Sequence, residues 1–527
     1  MSLLELHNIT YDVRDKCLFT IDEARVERQQ RIGLVGKNGS GKTTLLRLII
    51  GELAATEGTI IRRGSCHLLP QLKQDVAEKS GGEIGQQFIR EALEQQADLL
   101  LADEPTSFLD TDHIDWLERE LTGYQGTVIL VSHDRAFLDA ICTTIWAIDS
   151  GQLRIYSGNY SSYEKVRADQ QRSQQNAYEI YQNERRQLEH ALRLKQQKAE
   201  RATKKPKSVS ASEAKITGSK PYFAKKQKKL QKTTKAIESR LKKLEKIDKV
   251  YEARQIQLEA PEAEALSSRV IVRLEGLEGR IGKRILWHPA HFFIRGGDKL
   301  AIIGANGSGK TTFVNKLVAG AAGLSVSAAV KIGYYRQDLS LLDLQATILQ
   351  NAQQSSKQSR TVVQTVLARL GFAGADVAKR ADVLSGGERV KLALAKLVLS
   401  EVNTLILDEP TTFLDIEAVT ALETLLQIYP GTVLVVSHDR RFVANVATRI
   451  IAIEEQQLRV VDGDYMHYRQ QKELEKRASS NDTRQARLLL ETKIAEVLGK
   501  LSVAPSEELE SEFQRLIREK KQLRKNK

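Results

Sequence analysis

GKNGSGKT at residues 36–43 returns as GANGSGKT at residues 304–311, and this repetition decides the fold. In the pattern G-x-x-x-x-G-K-[ST], glycines let backbone N–H groups curl round phosphate oxygens at a helix N-terminus, whose partial positive charge favours anions. Gly36, Asn38, Gly39 and Gly41 belong to the first loop; Gly304, Asn306, Gly307 and Gly309 belong to the second. Lys42 and Lys310 are placed to reach terminal phosphates. Thr43 and Thr311 can offer a hydroxyl to Mg²⁺, and Thr44 and Thr312 follow them. Each loop is preceded by a short apolar run, residues 31–35 and 299–303, that reads as a strand feeding a helix. A single match can arise by chance in a chain of 527 residues; two at equivalent places do not.

The neighbouring motifs repeat with the loops. The two P-loop lysines lie 268 residues apart, and Gln71 in PQLKQD matches Gln337 in YRQDLS at 266. KSGGE then pairs with LSGGE, so Ser80, Gly81 and Gly82 correspond to Ser385, Gly386 and Gly387 at an offset of 305. The same offset relates Asp103, Glu104, Asp110 and His133 to Asp408, Glu409, Asp415 and His438. Between glutamine and SGGE the first copy has nine positions and the second 48, so a local deletion of about 39 residues is the simplest reading. The apolar runs at residues 99–101 and 405–407 read as buried parallel strands.

These motifs, in this order and twice over, resemble the ATP-binding cassette family across both halves. The resemblance implies two ATP molecules at the seam of a head-to-tail sandwich, each gripped by the P-loop of one half and the SGG of the other. Ser80, Gly81 and Gly82 would serve the second P-loop; Ser385, Gly386 and Gly387 would serve the first. It further implies that Asp103 and Asp408 hold Mg²⁺ and that Glu104 and Glu409 orient or deprotonate the attacking water. Gln71 and Gln337 would sense Mg²⁺ and water, His133 and His438 would bond the γ-phosphate, and Asp110 and Asp415 would couple the halves. Phosphoryl transfer to water needs positioning and charge neutralisation more than covalent chemistry, which suits these residue types. Tyr11 is a candidate for stacking on adenine, with Trp287 a weaker counterpart; core packing is the competing reading for both.

Net charge is +13, and its location matters more than its sum. Residues 185–250 hold 22 Lys/Arg against 6 Asp/Glu, a local excess of +16, so the rest of the chain sums to −3. Residues 164–203 contain neither Gly nor Pro and carry Tyr178, Tyr181, Leu188, Leu192 and Ala199 as a narrow apolar stripe. Residues 220–251 carry a second stripe, Leu230, Ile237, Leu241, Leu244 and Ile247. The turn residues of KKPKSVSASEAKITGSKP separate them, which predicts an antiparallel helical hairpin of on the order of 50–60 Å with its tip at about 204–221. Basic helices flanked by Tyr222 and Phe223 suit structured RNA, read through phosphates and base stacking. The tail, residues 471–527, is charged and predicts helices over 488–501 and 507–523 broken near Pro505. Its end, REKKQLRKNK, is basic, which fits a solvated tail.

The expected fold class is therefore α/β. Two P-loop NTPase cassettes, 1–163 and 256–470, are joined by a basic linker at 164–255 and followed by a helical extension. This arrangement resembles the ABC-F proteins, and within them the Vga/VmlR group of antibiotic-resistance factors, whose linker the stretch QKAERATKKPKSVSASEAKITGSKPYFAKKQKKL resembles. That resemblance implies a monomer, its two cassettes paired within one chain, on the bacterial 70S ribosome at the tRNA exit site, beside 23S rRNA and P-site tRNA. ATP hydrolysis would drive release. Tip residues Ser208, Val209, Ser210, Ala211, Ser212 and Lys215, with Tyr222 and Phe223, would act at the pocket of lincosamides, streptogramin A compounds and pleuromutilins. An alternative is a translation factor of the same family without drug protection.

A membrane exporter's motor subunit is disfavoured. The first copy lacks a full helical subdomain, and no apolar run approaches the ~18–20 residues that cross a bilayer. The acidic start MSLLELHNITYD lacks a secretion signal's pattern, and three scattered cysteines suit a reducing cytoplasm.

Overall fold

The computed structural model describes residues 2–13, 16–71, 81–107, 109–203, 219–244, 258, 266–336, 341–503, 506 and 510–518. They divide into two compact units. One holds Met1–Ile141, Trp146–Arg154 and Ile256–Lys527; the other holds Cys142–Ile145 and Ile155–Gln255.

In the first cassette the strands are β1 (Ser2–Val13), β2 (Lys16–Glu27), β3 (Arg31–Gly36), β4 (Glu57–Arg62), β5 (Cys66–Leu69), β6 (Leu99–Asp103), β7 (Thr127–Val131), β8 (Thr144–Asp149) and β9 (Gln152–Ser157). They form one sheet in the order β4-β1-β2-β9-β8-β3-β7-β6-β5. Its helices are α1 (Lys42–Ile50), α2 (Gly81–Glu94), α3 (Thr111–Gly123) and α4 (Arg135–Ile141). The second unit contributes α5 (Tyr160–Thr203) and α6 (Ser219–Lys243).

The second cassette contains β10 (Val270–Ile281), β11 (Arg284–Arg295), β12 (Lys299–Gly304), α7 (Lys310–Val318), β13 (Leu324–Val326), β14 (Ile332–Tyr335), α8 (Ile348–Gln353) and α9 (Arg360–Arg369). It continues with α10 (Gly386–Leu399), β15 (Thr404–Asp408), α11 (Ile416–Ile428), β16 (Thr432–Val436), α12 (Arg440–Val446), β17 (Arg449–Glu454), β18 (Gln457–Asp462) and α13 (Tyr465–Val503). Its core sheet runs β14-β15-β16-β12-β17-β18, the order of β5-β6-β7-β3-β8-β9, while β11-β10-β13 corresponds to β2-β1-β4. The repeat read from sequence is thus a repeat of topology.

The central strands are apolar through their middles, as strands buried on both faces of a parallel sheet are. Leu99, Leu100 and Leu101 are buried, as are Leu405, Ile406 and Leu407, each side chain contributing roughly 1.5–3 kcal/mol of burial. β3 lies between β7 and β8, and β12 between β16 and β17, so each P-loop leaves the carboxyl end of a central parallel strand, where open α/β sheets bind ligands. Gly41 starts α1 at φ 94°, and Gly51 ends it in the same left-handed region with its N–H bonded to the Arg47 carbonyl. Gly309 needs its missing Cβ for a second reason. A Cβ there would stand 2.6 Å from the Trp287 ring.

In the second unit, α5 at 44 residues is about 66 Å long. Arg240 on α6 pairs with Glu184 on α5 at 3.1 Å, one point of contact between the two helices. Ser219, Lys220 and Pro221 are already helical, so the turn ends earlier than the sequence reading had it; Pro221 sits in the first turn, where its missing N–H costs nothing. The structure also differs at the tail. α13 runs unbroken from Tyr465 to Val503, where the sequence suggested a helix starting only at residue 488.

Candidate nucleotide site

The two P-loops face the opposite cassette. Asn38 donates its backbone N–H to Asp415 Oδ2 at 3.4 Å and its side-chain amide to the Phe413 carbonyl at 2.8 Å. Asn306 donates its N–H to Asp110 Oδ2 at 2.9 Å. Asp110 and Asp415 also N-cap α3 and α11, accepting from the N–H groups of His113 and Ala418. The second SGGE is likewise a helix start: Ser385 and Glu388 form a reciprocal capping box at the head of α10. A Cβ on Gly387 would lie 3.0 Å from the Phe413 carbonyl and 3.2 Å from Asn38 Nδ2, so glycine eases this turn's approach to the first P-loop.

A cavity of about 1160 Å³ opens at this seam. It is lined by Asn38, Gln71, Glu104 and His133 from one half and by Lys310, Ser385, Glu409 and His438 from the other. Such a volume exceeds the roughly 300–1,000 Å³ of a single-ligand pocket.

Within each P-loop the lysine is buried and folded back on its own loop. Lys42 Nζ donates to the carbonyls of Gly36 and Lys37 at 2.9 and 3.1 Å, and Lys310 Nζ to those of Gly304 and Ala305 at the same distances. Burial pulls both ammonium groups below the usual lysine range, against the attraction of Glu104 and Glu409. Ser40 Oγ and Ser308 Oγ are buried without a hydrogen-bond partner among the described residues. Unpaired donors and lysines bonded only to carbonyls fit a phosphate chain, which would accept from all of them.

The residues suited to Mg²⁺ fit as well. Thr311 Oγ1 bonds Asp408 Oδ2 at 3.2 Å, and Thr43 bonds Asp103. Burial raises both aspartates, and the threonine hydroxyls offset part of that rise. One hydroxyl and one carboxylate per site is what Mg²⁺ takes from protein when phosphate oxygens and water complete its shell.

Glu104 and Glu409 follow the strand ends with φ of 51° and 48°, a left-handed conformation that costs an ordinary residue about 1–3 kcal/mol. Burial pushes Glu104 up to about 7 and Glu409 to about 8. His133 Nε2 stands 3.2 Å from Glu104 Oε1, and His438 Nε2 stands 3.6 Å from Glu409 Oε1. Burial, reinforced by the neighbouring P-loop lysine, pushes both imidazoles down to about 3, so these contacts involve neutral histidine and are not ion pairs. A buried carboxyl group poised near neutrality beside a neutral imidazole suits proton handling.

Other expectations fare differently. Trp287 is fully buried, donates to the Leu277 carbonyl at 3.2 Å and meets Phe313 edge-on, so it belongs to the core and is no base-stacking platform. Tyr11 stacks on Phe19 at 6.1 Å between ring centres. Gly81 and Gly82 open α2 as Gly386 and Gly387 open α10. Ser80, Gln337, Ser208, Val209, Ser210, Ala211, Ser212 and Lys215 lie outside the described residues, and so do the side chains of Tyr222 and Phe223, whose backbone is in α6. Sequence reasoning missed Lys391, which donates to Asp415 at 2.9 Å, and Arg135 and Arg440, which cross the seam. The repeated VSHDR was the available signal for the arginines.

Fold and site together define an ATPase built from two cassettes on one chain. A family model described as ABC transporter matches residues 22–67 and 287–412, and a second of the same description matches residues 146–214. Over 99% of its length the chain is 34% identical to the ribosome protection protein VmlR of Bacillus subtilis, covering 98% of that protein. Over 85% it is 33% identical to the erythromycin resistance ATP-binding protein MsrA of Staphylococcus epidermidis, covering 96% of that protein. The chain belongs to the ABC-F family of ATP-binding cassette proteins. Among solved structures, RNase-L inhibitor shares the fold at a TM-score of 0.56 and 18% identity, over 87% of this chain and 90% of that one. No helix among the described residues is long and apolar enough to cross a membrane.

Proposed function

We propose that this protein is a ribosome protection factor, acting in the cytoplasm, in which ATP closes two composite sites, the closed form binds the bacterial ribosome, and hydrolysis releases it. The observation that carries the reading is the 34% identity to a ribosome protection protein along 99% of the chain, linker included. The long basic hairpin supports it: residues 185–250 hold a +16 excess, and neutralising phosphates is the main source of affinity for RNA.

At each site the P-loop amides and lysine hold the phosphates. At the first, Ser385, Gly386 and Gly387 cover the γ-phosphate from the opposite half; Ser80, Gly81 and Gly82 do so at the second. Thr43 with Asp103 and Thr311 with Asp408 would hold Mg²⁺, which would supply neutralisation of charge on the phosphate oxygens. Gln71 and Gln337 would orient it with the water. Glu104 and Glu409 take the proton of the attacking water, and His133 and His438 donate to the γ-phosphate. The protein acts as a monomer at the tRNA exit site. There the hairpin contacts 23S rRNA and P-site tRNA, and residues 208–219 clear the pocket of lincosamides, streptogramin A compounds and pleuromutilins.

Cell-free translation inhibited by lincomycin or tiamulin tests this reading. Adding the protein is expected to restore synthesis, and replacing residues 208–219 by a Gly/Ser segment of equal length to abolish the rescue. Persistent inhibition at every protein concentration would remove drug protection and leave the translation-factor alternative.

A further inference from the structure

Arg135 and Arg440, the last residues of the two VSHDR motifs, are buried to 2% and 7% exposure. A guanidinium taken out of water costs several kcal/mol unless it is paired and hydrogen-bonded, so the partners decide what such a residue is for. Both arginines reach carboxylates on the other cassette. Arg135 grips the Glu423 carboxylate with both terminal nitrogens, one at 3.2 Å and one in a shorter contact, and reaches Thr420 Oγ1 at 3.3 Å. Arg440 donates to Asp115 Oδ1 at 2.8 Å and to Glu118. Residues 115 and 118 correspond to 420 and 423 at the offset of 305, so the crossing is made twice by the same rule.

The acceptors sit on α11 and α3, the helices whose N-caps, Asp415 and Asp110, receive the opposite P-loop asparagine. Cassette one therefore holds α11 at two points: Asn38 at its cap and Arg135 two turns further on. Cassette two holds α3 in the same manner through Asn306 and Arg440. Each arginine is two residues beyond a switch histidine, His133 or His438, and opens the helix that follows that histidine's turn. Asp134 and Asp439 brace those turns by capping α4 and α12. Displacing either turn drags the opposite α3 or α11 with it: Arg135 holds Glu423 in a bidentate pair, and Arg440 is tied to α3 through Asp115 and Glu118 together.

We propose that Arg135 and Arg440 are positioning residues that make each switch histidine move together with the opposite aspartate loop, so that events at one nucleotide site reach the other. Arg440 meets Asp115 and Glu118, with Asp134 Oδ2 at 4.0 Å, and Asp115 also receives Arg469 from α13 at 3.3 Å; Arg135 meets Glu423 and Thr420. This inference rests on the two-site reading proposed above.

The experiment uses the full chain and three variants: Arg135→Met, Glu423→Gln, and the exchange Arg135→Glu with Glu423→Arg. Nucleotide stoichiometry is measured with a non-hydrolysable analogue, and ATPase rate against ATP concentration. Arg135→Met and Glu423→Gln are expected to bind two nucleotides, lose about tenfold or more in kcat with a smaller change in KM, and show a Hill coefficient falling toward about 1. The exchange is expected to recover a large part of both losses. Unchanged kcat and cooperativity in Glu423→Gln, which keeps the shape of the side chain, would overturn the proposal even if Arg135→Met failed to fold. So would a loss in Arg135→Met that the exchange does not repair. A stoichiometry of one in the unmodified protein would instead overturn the two-site reading, whatever the variants do.

Discussion

Cassette two places α8 and α9 between its glutamine and its SGGE, whereas cassette one has nine positions in that interval and α2 starts at Gly81. The inner parts of the two halves nevertheless superpose in strand order, loop geometry and seam contacts. Even the unusual φ values of Glu104 and Glu409 agree within 3°. The difference teaches that the phosphate-gripping centre and the outer helical region are separable. The centre is constrained by two partners at once, the nucleotide and the opposite half, while the outer helices in cassette two bury their own apolar faces and can be removed as a block. One inner contact also differs. Asp415 is held by Lys391 on α10, and the equivalent position in cassette one is Gln86; Asp110 instead meets His113 Nδ1 at 2.6 Å. Burial works against both aspartates, but their hydrogen bonds outweigh it and keep them below the usual carboxylate range.

The largest effect expected is the joint loss of both buried glutamates. Glu104→Gln with Glu409→Gln is expected to lower ATP turnover by about 10²–10⁴, as for loss of a general base, and phosphate release measures it. The single variants sharpen the comparison: equal halves give equal losses, and a residual rate confined to one variant ranks the sites. Next comes the loop glycine. Gly309→Ala puts a Cβ 2.6 Å from Trp287 at φ 106°, and is expected to cost about 1–3 kcal/mol, read as a lowered midpoint in thermal unfolding. Gly41→Ala meets Phe19 at 2.7 Å and is expected to behave alike, whereas Gly39→Ala meets no atom within 4 Å and pays only for its φ of 77°.

A smaller effect is expected of Lys391→Met. It removes the cation from Asp415 and leaves Asp110 untouched, so KM for ATP is expected to rise a few-fold through the first site alone. The equivalent Gln86→Met is expected to change little.

The smallest expected effect is an absence. His133 and His438 are pushed down to about 3 by burial, so without nucleotide both stay neutral from pH 8 to pH 5, where an exposed histidine would gain its proton near 6.5. Their imidazole NMR shifts are expected to stay flat across that window. A transition of either ring near pH 6.5 would contradict the burial that defines both sites.

The fold was legible because strand, glycine loop and apolar helix recur in an order that few architectures use, and the offset of 305 carried the motifs with it. The hairpin was legible from two narrow stripes and an intervening run of turn residues. The starts of the long helices were less legible, since α5 and α13 begin at Tyr160 and Tyr465, ahead of the boundaries at 164 and 471 read from sequence. Trp287 misled because a large aromatic near a P-loop resembles a base platform until Gly279 is seen making room for its ring. The arginine pairs were hidden because their partners lie 285 or more residues away in sequence.

Co-sedimentation with bacterial 70S ribosomes tests the account most directly, using the Glu104→Gln, Glu409→Gln protein loaded with ATP or with ADP. The account predicts that the ATP-loaded protein pellets with the ribosomes and the ADP-loaded protein stays in the supernatant. Protein that remains in the supernatant with either nucleotide would contradict it.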